Sequence, residues 1–283
     1  MRCQSVAARQ CNGRRTVVAA EAGRGYSARR RGPRPSGAAT VSGTASGDAS
    51  GDADTRDPTG PAADAMLRKT FLYLSNQPRI FRFVRRNRFA NGAARRFVAG
   101  ETATDAIAAV RALNGRGITA SLDLLGESVT REDEARATAR EYVDLLDRIA
   151  AERLDANVSV KLTALGLDVS DEVCLASAHE VLQRARHHGT FVRLDMEGSA
   201  YTDRTLDLFE HHLYPMYPEN VGIVLQSMLR RTAADVERAI ALRARVRLCK
   251  GAYREPPEIA FPEKADVDES FVRAMKRLMA EGH

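Results

Sequence analysis

From about residue 100 onward the chain alternates between two hydrophobic rhythms. In Asn157–Thr163, Val158, Val160 and Leu162 interleave with Ser159, Lys161 and Thr163. In Phe191–Glu197, Val192, Leu194 and Met196 interleave with Arg193, Asp195 and Glu197. In Arg245–Cys249, Val246 and Leu248 interleave with Arg245 and Arg247. Side chains on a strand point to opposite faces in turn, so each run predicts a strand with one aliphatic and one ionisable face. The runs 118–125 and 221–226 complete a set of five, with strands expected over 118–125, 157–165, 190–196, 221–226 and 245–250.

Between the strands the apolar residues recur at helical spacing. Ile107, Val110 and Leu113 share one face, as do Tyr142, Val143, Leu146 and Ile149. Val173, Val181 and Leu182 mark a third helix, Leu206, Phe209 and Leu213 a short fourth, Val236 and Ile240 a fifth. Phe271, Val272, Met275 and Met279 sit on a last helix. Thr102 or Thr104, Thr130, Ser170 and Thr232 stand where N-caps belong.

Strand and helix in strict alternation give an α/β fold with a parallel sheet. A doubly wound sheet is covered by helices on both faces, so its central strands should be apolar on both sides. Here strand after strand keeps a polar face. A (β/α)8 TIM-type barrel accounts for that better, because helices cover only its outside and the interior can hold a ligand. Five of the eight strands are visible, so the barrel is expected to be incomplete over 101–283. Burying unpaired charge is costly, so the inward charges must meet one another, water or a ligand.

The first 65 residues have a different texture: Arg, Ala, Gly, Ser and Pro with Tyr26 as the single aromatic. Such a segment cannot bury enough apolar area to offset its ordering entropy, and disorder is expected over 1–65. The stretch Val17–Ala20 is too short for a secretory signal, and translation is expected to start at Met66 rather than with a functional tail. Residues 66–100 mix Phe, Leu and Val with many Arg and predict one or two amphipathic helices before the barrel. A basic, Phe-bearing stretch of this kind allows peripheral contact with a membrane surface, although packing on the domain is the expected fate.

The net charge of +6 changes meaning once it is located. Residues 1–65 carry ten Arg against six acidic side chains, and the remainder holds 33 basic and 31 acidic residues. The body is nearly neutral, which does not favour a nucleic-acid partner. No apolar run approaches the ~20 residues of a membrane span. Cys3, Cys11, Cys174 and Cys249 form no CxxC pair, so neither a zinc site nor a disulfide framework is expected, and a reducing cytoplasm fits. The adjacent pairs His187-His188 and His211-His212 do not share a helix face, and no metal site is expected. No GxGxxG or GxxxxGK[ST] run occurs.

Four segments carry a resemblance. Ser159–Leu165 (SVKLTAL), Val192–Glu197 (VRLDME), Gly222–Gln226 (GIVLQ) and Arg247–Tyr253 (RLCKGAY) resemble, in that order and each at the end of a strand, the motifs of the proline dehydrogenases. The resemblance covers about residues 66–283. It implies a flavin-dependent barrel that oxidises L-proline to Δ1-pyrroline-5-carboxylate, with FAD as cofactor and a quinone as electron acceptor. Carried over by position, it implies Asp195 and Arg247 as catalytic, with Arg247 close to flavin N5. Lys161 and Tyr253 would serve the substrate, Lys161 pairing with its carboxylate. Met196, Gln226, Lys250, Gly251 and Ala252 would contact the cofactor. The chemistry is consistent with those residue types: a cation near the reduced ring stabilises developing negative charge. Gly251 lets backbone approach closely, and Lys250 offers a point charge to a phosphate.

Other readings of the same residues stand beside this one. Lys161 and Asp195 could be an ion pair inside a barrel, Gln226 a hydrogen-bonded core residue, and Tyr253 a cap on the barrel rim. Lys161 could also form a Schiff base, as lyase lysines do. The resemblance further implies three more strands, a Thr-His flavin contact and a helix with paired arginines beyond His283. The chain as given is therefore expected to be a fragment, inactive or poorly folded without them.

Overall fold

The computed structural model describes residues 102–124, 126 and 128–282, together with the backbone of 17–24. The helices expected over 66–100 lie outside the described residues.

Five parallel strands follow one another in space in the order of the chain: β2 (Ile118–Leu124), β3 (Ala156–Val160), β4 (Val192–Leu194), β5 (Val221–Gln226) and β6 (Arg245–Cys249). The β-α-β units thus wind in one direction, as in a barrel, with no reversal of strand order of the kind that divides a doubly wound sheet. A further strand, β1 (Val17–Arg24), lies antiparallel on the free side of β2, with Val17 opposite Leu124 and Arg24 opposite Ile118. It pairs with the edge of β2, whose open backbone groups accept a short extended segment.

Register places the polar face in layers. Asp123 aligns with Ser159, Ser159 with Arg193, Arg193 with Gly222 and Gly222 with Arg245. The opposite face carries Leu122, Val158, Val192 and Val221 in one row and Val160, Leu194, Ile223 and Val246 in the next. All of these except Val246 are almost fully buried, packed in one core with the helices outside. The aliphatic outer face and ionisable inner face expected from the alternation are both present.

The helices are α1 (Ala103–Asn114), α2 (Glu132–Ala151), α3 (Asp171–His187), α4 (Ser199–Leu208, running into a π-helical turn at Phe209–Leu213), α5 (Thr232–Ala241) and α6 (Lys264–Glu281). Thr102 closes a capping box with Asp105, and the Ser170 hydroxyl accepts from the Val173 N–H. Two expected caps are different. The N-cap of α2 is Arg131, not Thr130, and no side chain bonds there; Glu132, Asp133 and Glu134 meet the positive helix end instead. Thr232 lies inside the first turn of α5, and its hydroxyl donates to the Gln226 carbonyl, tying the helix to the end of β5.

Two expected strands are shorter than the alternation suggests. β3 ends at Val160, and Thr163–Leu165 turn into a 3-10 helix that closes on Gly166 at φ 101°. The turn is held because the Thr163 N–H donates to Glu197 at 3.2 Å and the Thr163 hydroxyl donates to the same carboxylate. β4 is confined to three residues, its ladder ending where Leu194 pairs with Val160 and Ile223. On α6 the inward stripe is Ser270, Ala274 and Leu278, while Val272, Met275 and Met279 face outward. Small residues let α6 approach closely, and the bulkier apolar ones remain on its far side.

Candidate active site

The chemistry-bearing residues gather where the strands end. Lys161 follows the last residue of β3, and Asp195 follows the last residue of β4 with its N–H donating to the Val160 carbonyl at 2.8 Å. Arg247 reaches inward from β6 and makes an ion pair with Asp195. Its other terminal nitrogen lies 3.4 Å from the Ser159 hydroxyl, which in turn is 3.0 Å from that of Ser121. Asp195 and Arg247 are each less than one-fifth exposed. Their pairing answers how the inner face tolerates charge: each ion is met by another.

Lys161 does not pair with Asp195. Its ammonium donates to Asp123 at 3.2 Å, and the Tyr142 hydroxyl from α2 donates to the other oxygen of that carboxylate at 2.9 Å. The Leu124 N–H donates to the same Tyr142 oxygen at 3.2 Å. Asp123 and Tyr142 were not singled out as site residues from the sequence. Asp123 had a signal: Ser121 and Asp123 alternate with Leu122 and Leu124 like the polar positions of the other strands. Tyr142 had none, because on α2 it reads as one more apolar residue of the inward stripe.

Electrostatics separate the two acids and the two cations. Burial by itself would lower the Lys161 ammonium, but Asp123 and Asp195 outweigh it and hold the group well above its ordinary value. Burial pushes the Asp195 carboxyl up to about 6 against the opposing pull of Arg247 and Lys161. Burial, reinforced by the neighbouring Asp123 charge, raises the Tyr142 phenol far above its usual range, so it remains a donor at any working pH.

The remaining predicted positions fall into two groups. Gln226 ends β5 almost fully buried, its amide nitrogen donating to the Glu197 carbonyl at 2.8 Å. Its side-chain oxygen is buried without a hydrogen-bond partner among the described residues. Beside it, Gly251 adopts φ 103°, and a Cβ there would stand 2.8 Å from that same oxygen and collide with the Met228 sulfur. A buried acceptor awaiting a donor, next to backbone that admits no side chain, fits a flat polar group such as an isoalloxazine edge. Tyr253 is partly exposed and contributes to the electrostatic environment of Lys161. Ala252 is exposed. Met196, in contrast, is a core side chain, and Lys250 points to α6, where it pairs with Asp268 and lies 6.0 Å from the centre of the Phe271 ring.

Residues 106–283 match the family described as "Proline dehydrogenase". The chain is 36% identical over 218 residues to "Proline dehydrogenase 1" of Bacillus subtilis subsp. natto, covering 77% of this chain and 71% of that one. The chain belongs to the proline dehydrogenase family. A second relative, "Proline dehydrogenase" of Deinococcus radiodurans, is 34% identical over 223 residues, covering 78% of this chain and 71% of its own length. Among solved structures, the fold superimposes with a TM-score of 0.63 and 25% identity on proline utilization A (PutA) from Bdellovibrio bacteriovorus, a protein described as inactivated by N-propargylglycine. That match covers 78% of this chain but 27% of the far longer PutA chain. Proline dehydrogenases are flavin-dependent oxidoreductases that take proline as substrate, the first step of proline breakdown. The structural match also identifies the sheet as part of a TIM-type barrel. Among the described residues, no helix is long and apolar enough to cross a membrane.

Proposed function

We propose that the paired ions at the strand ends are the working machinery for oxidation of L-proline to Δ1-pyrroline-5-carboxylate. The observation that carries the proposal is that two cations, Lys161 and Arg247, are each presented on the inner face by a buried carboxylate of their own. A lysine held protonated is suited to the carboxylate of an amino acid. Asp123 and Tyr142 fix the Lys161 ammonium in direction, so little reorganisation is needed when substrate arrives. Asp195 holds Arg247 extended across the barrel interior, where its guanidinium stabilises negative charge that develops during the reaction. Tyr253 completes the substrate side from the loop after β6.

FAD is the cofactor of this reading, and it supplies the acceptor for the hydride that leaves the proline ring carbon. Gln226 and the backbone of Gly251 and Ala252 would hold its ring system, with Met196 contributing from the segment that follows β4. Lys250 would serve a cofactor phosphate after exchanging its present partner Asp268. A quinone is the terminal electron acceptor of the proposal, which places the protein in the cytoplasm with peripheral access to the membrane face.

A Schiff-base lyase reading is disfavoured by Lys161 itself. Such chemistry needs a neutral amine, and the carboxylates of Asp123 and Asp195 hold this one protonated. The test is anaerobic addition of L-proline to the FAD-loaded protein, supplied with the closing strands that the resemblance implies. The flavin absorbance should bleach, and Lys161→Ala should raise the proline concentration for half-maximal bleaching at least about tenfold, the loss of one charge-assisted contact. Persistent yellow colour with proline, or borohydride trapping of a carbonyl compound on Lys161, would overturn the proposal.

A further inference from the structure

Two loops that flank the site are fastened to each other by one carboxylate. Glu255 lies on the loop after β6, two residues beyond Tyr253. One of its oxygens accepts from the Ser199 N–H at 2.7 Å, and the other accepts from the Ser199 hydroxyl at 2.5 Å. Ser199 opens α4 at the end of the β4 loop, four residues beyond Asp195. The N-cap of α4 is Gly198, which has no side chain to satisfy the helix end. Glu255 therefore does from a separate loop what an N-cap side chain does locally, and it adds a charge matched to the positive helix end. The Tyr253 ring also lies near the start of α4, 3.7 Å from where a Cβ on Gly198 would stand.

We propose that Glu255 is a positioning residue for substrate, a clasp that holds the Tyr253-bearing loop against the β4–α4 loop. It rests on the functional reading given above. The bidentate contact, across 56 residues of sequence, ties the middle of the Gly251–Ile259 segment, which contains no helix or strand, while Arg230 holds its far end by donating to the Pro257 and Ile259 carbonyls. Without the clasp, Tyr253 would sample many orientations and the ordering cost would fall on substrate binding. The hydride-transfer step would be little affected, since Asp195 and Arg247 are held by their own strands and by each other.

The experiment uses the full FAD-loaded chain and the variants Glu255→Ala, Glu255→Gln and Ser199→Ala. Glu255→Ala should raise KM for L-proline about tenfold, the scale of losing a hydrogen bond to a charged group, with kcat within about twofold. Glu255→Gln, which can still accept from the N–H and donate to the hydroxyl, should recover most of the affinity. Ser199→Ala should fall between. Amide hydrogen exchange over 250–256, read without any turnover, should speed up in Glu255→Ala and return towards normal in Glu255→Gln. Faster exchange with unchanged KM would overturn the positioning role, and unchanged exchange would overturn the clasp itself. Should the unsubstituted chain fail to oxidise proline, the exchange measurement still decides the clasp, and the failure belongs to the functional reading.

Discussion

Asp195 and Lys161 carry opposite charges within the same small volume, yet each takes a different partner, and that division sets their titration. Asp195 is raised from 3.8 to about 6 chiefly by burial, whereas Lys161 is held protonated by Asp123 and Asp195. Below about pH 6 the Asp195 carboxyl is neutral and its hold on Arg247 weakens. In the free enzyme kcat/KM for proline should therefore fall as pH drops through about 6, and Asp195→Asn should abolish that inflection. Stability runs the other way. Because the folded value lies above the unfolded one, protonation of Asp195 favours the folded chain. That contribution is complete below about pH 3.8 and is lost as pH rises through about 6. A pH–rate profile with no inflection near 6, or one that Asp195→Asn leaves in place, would show that another group controls activity.

At the scale of elements, the ends of β5 and β6 meet in a short irregular segment whose shape depends on one glycine. Gly251 has φ 103°, where an L side chain is strained, and its missing Cβ leaves room for Met228 and the Gln226 oxygen. Gly251→Ala should destabilise the fold by roughly 1–3 kcal/mol. It should also lower the flavin-to-protein absorbance ratio of the purified protein, because the segment would be pushed off the Gln226 acceptor. Urea unfolding and the absorbance ratio read the two effects separately. A variant with normal stability and a full flavin complement would remove Gly251 from the cofactor cradle. Helix ends show how elements borrow from one another: α4 takes its cap from Glu255 on a distant loop, while Thr232, at a position that suggests a cap, ties α5 to the Gln226 carbonyl.

Across the whole molecule, the sheet holds its charges because strands in register give them neighbours, and one position shows how little slack remains. Gly222 sits in the layer between Arg193 and Arg245. A Cβ there would lie 2.5 Å from the Arg245 carbonyl oxygen and 2.6 Å from the Phe191 ring, with the Arg193 and Arg245 guanidinium groups stacked 5.3 and 5.2 Å from that ring's centre. Backbone cannot yield as a side-chain tip can. Gly222→Ala should cost roughly 1–3 kcal/mol of stability, the range for overpacking a filled interior. The measurement is the urea midpoint. An unchanged midpoint would mean that β5 and β6 can slide apart without penalty.

Period-two alternation in Asn157–Thr163, Phe191–Glu197 and Arg245–Cys249 was enough to define parallel strands with a polar interior. The reason is that strand geometry converts spacing directly into facing. The four motifs were enough for the family, because each joins several residue types at fixed spacing. Partner choice was beyond the sequence. That Lys161 pairs with Asp123 rather than Asp195, that Tyr142 reaches in from α2, and that Glu255 caps α4 all depend on side chains 19 to 56 residues apart meeting in three dimensions. Such meetings are set by strand register and helix packing, which local spacing does not encode. The outward turn of Val272, Met275 and Met279 has the same origin: helical periodicity groups these residues on one face, and only packing against α5 and β6 decided that Ser270, Ala274 and Leu278 would be the face turned in.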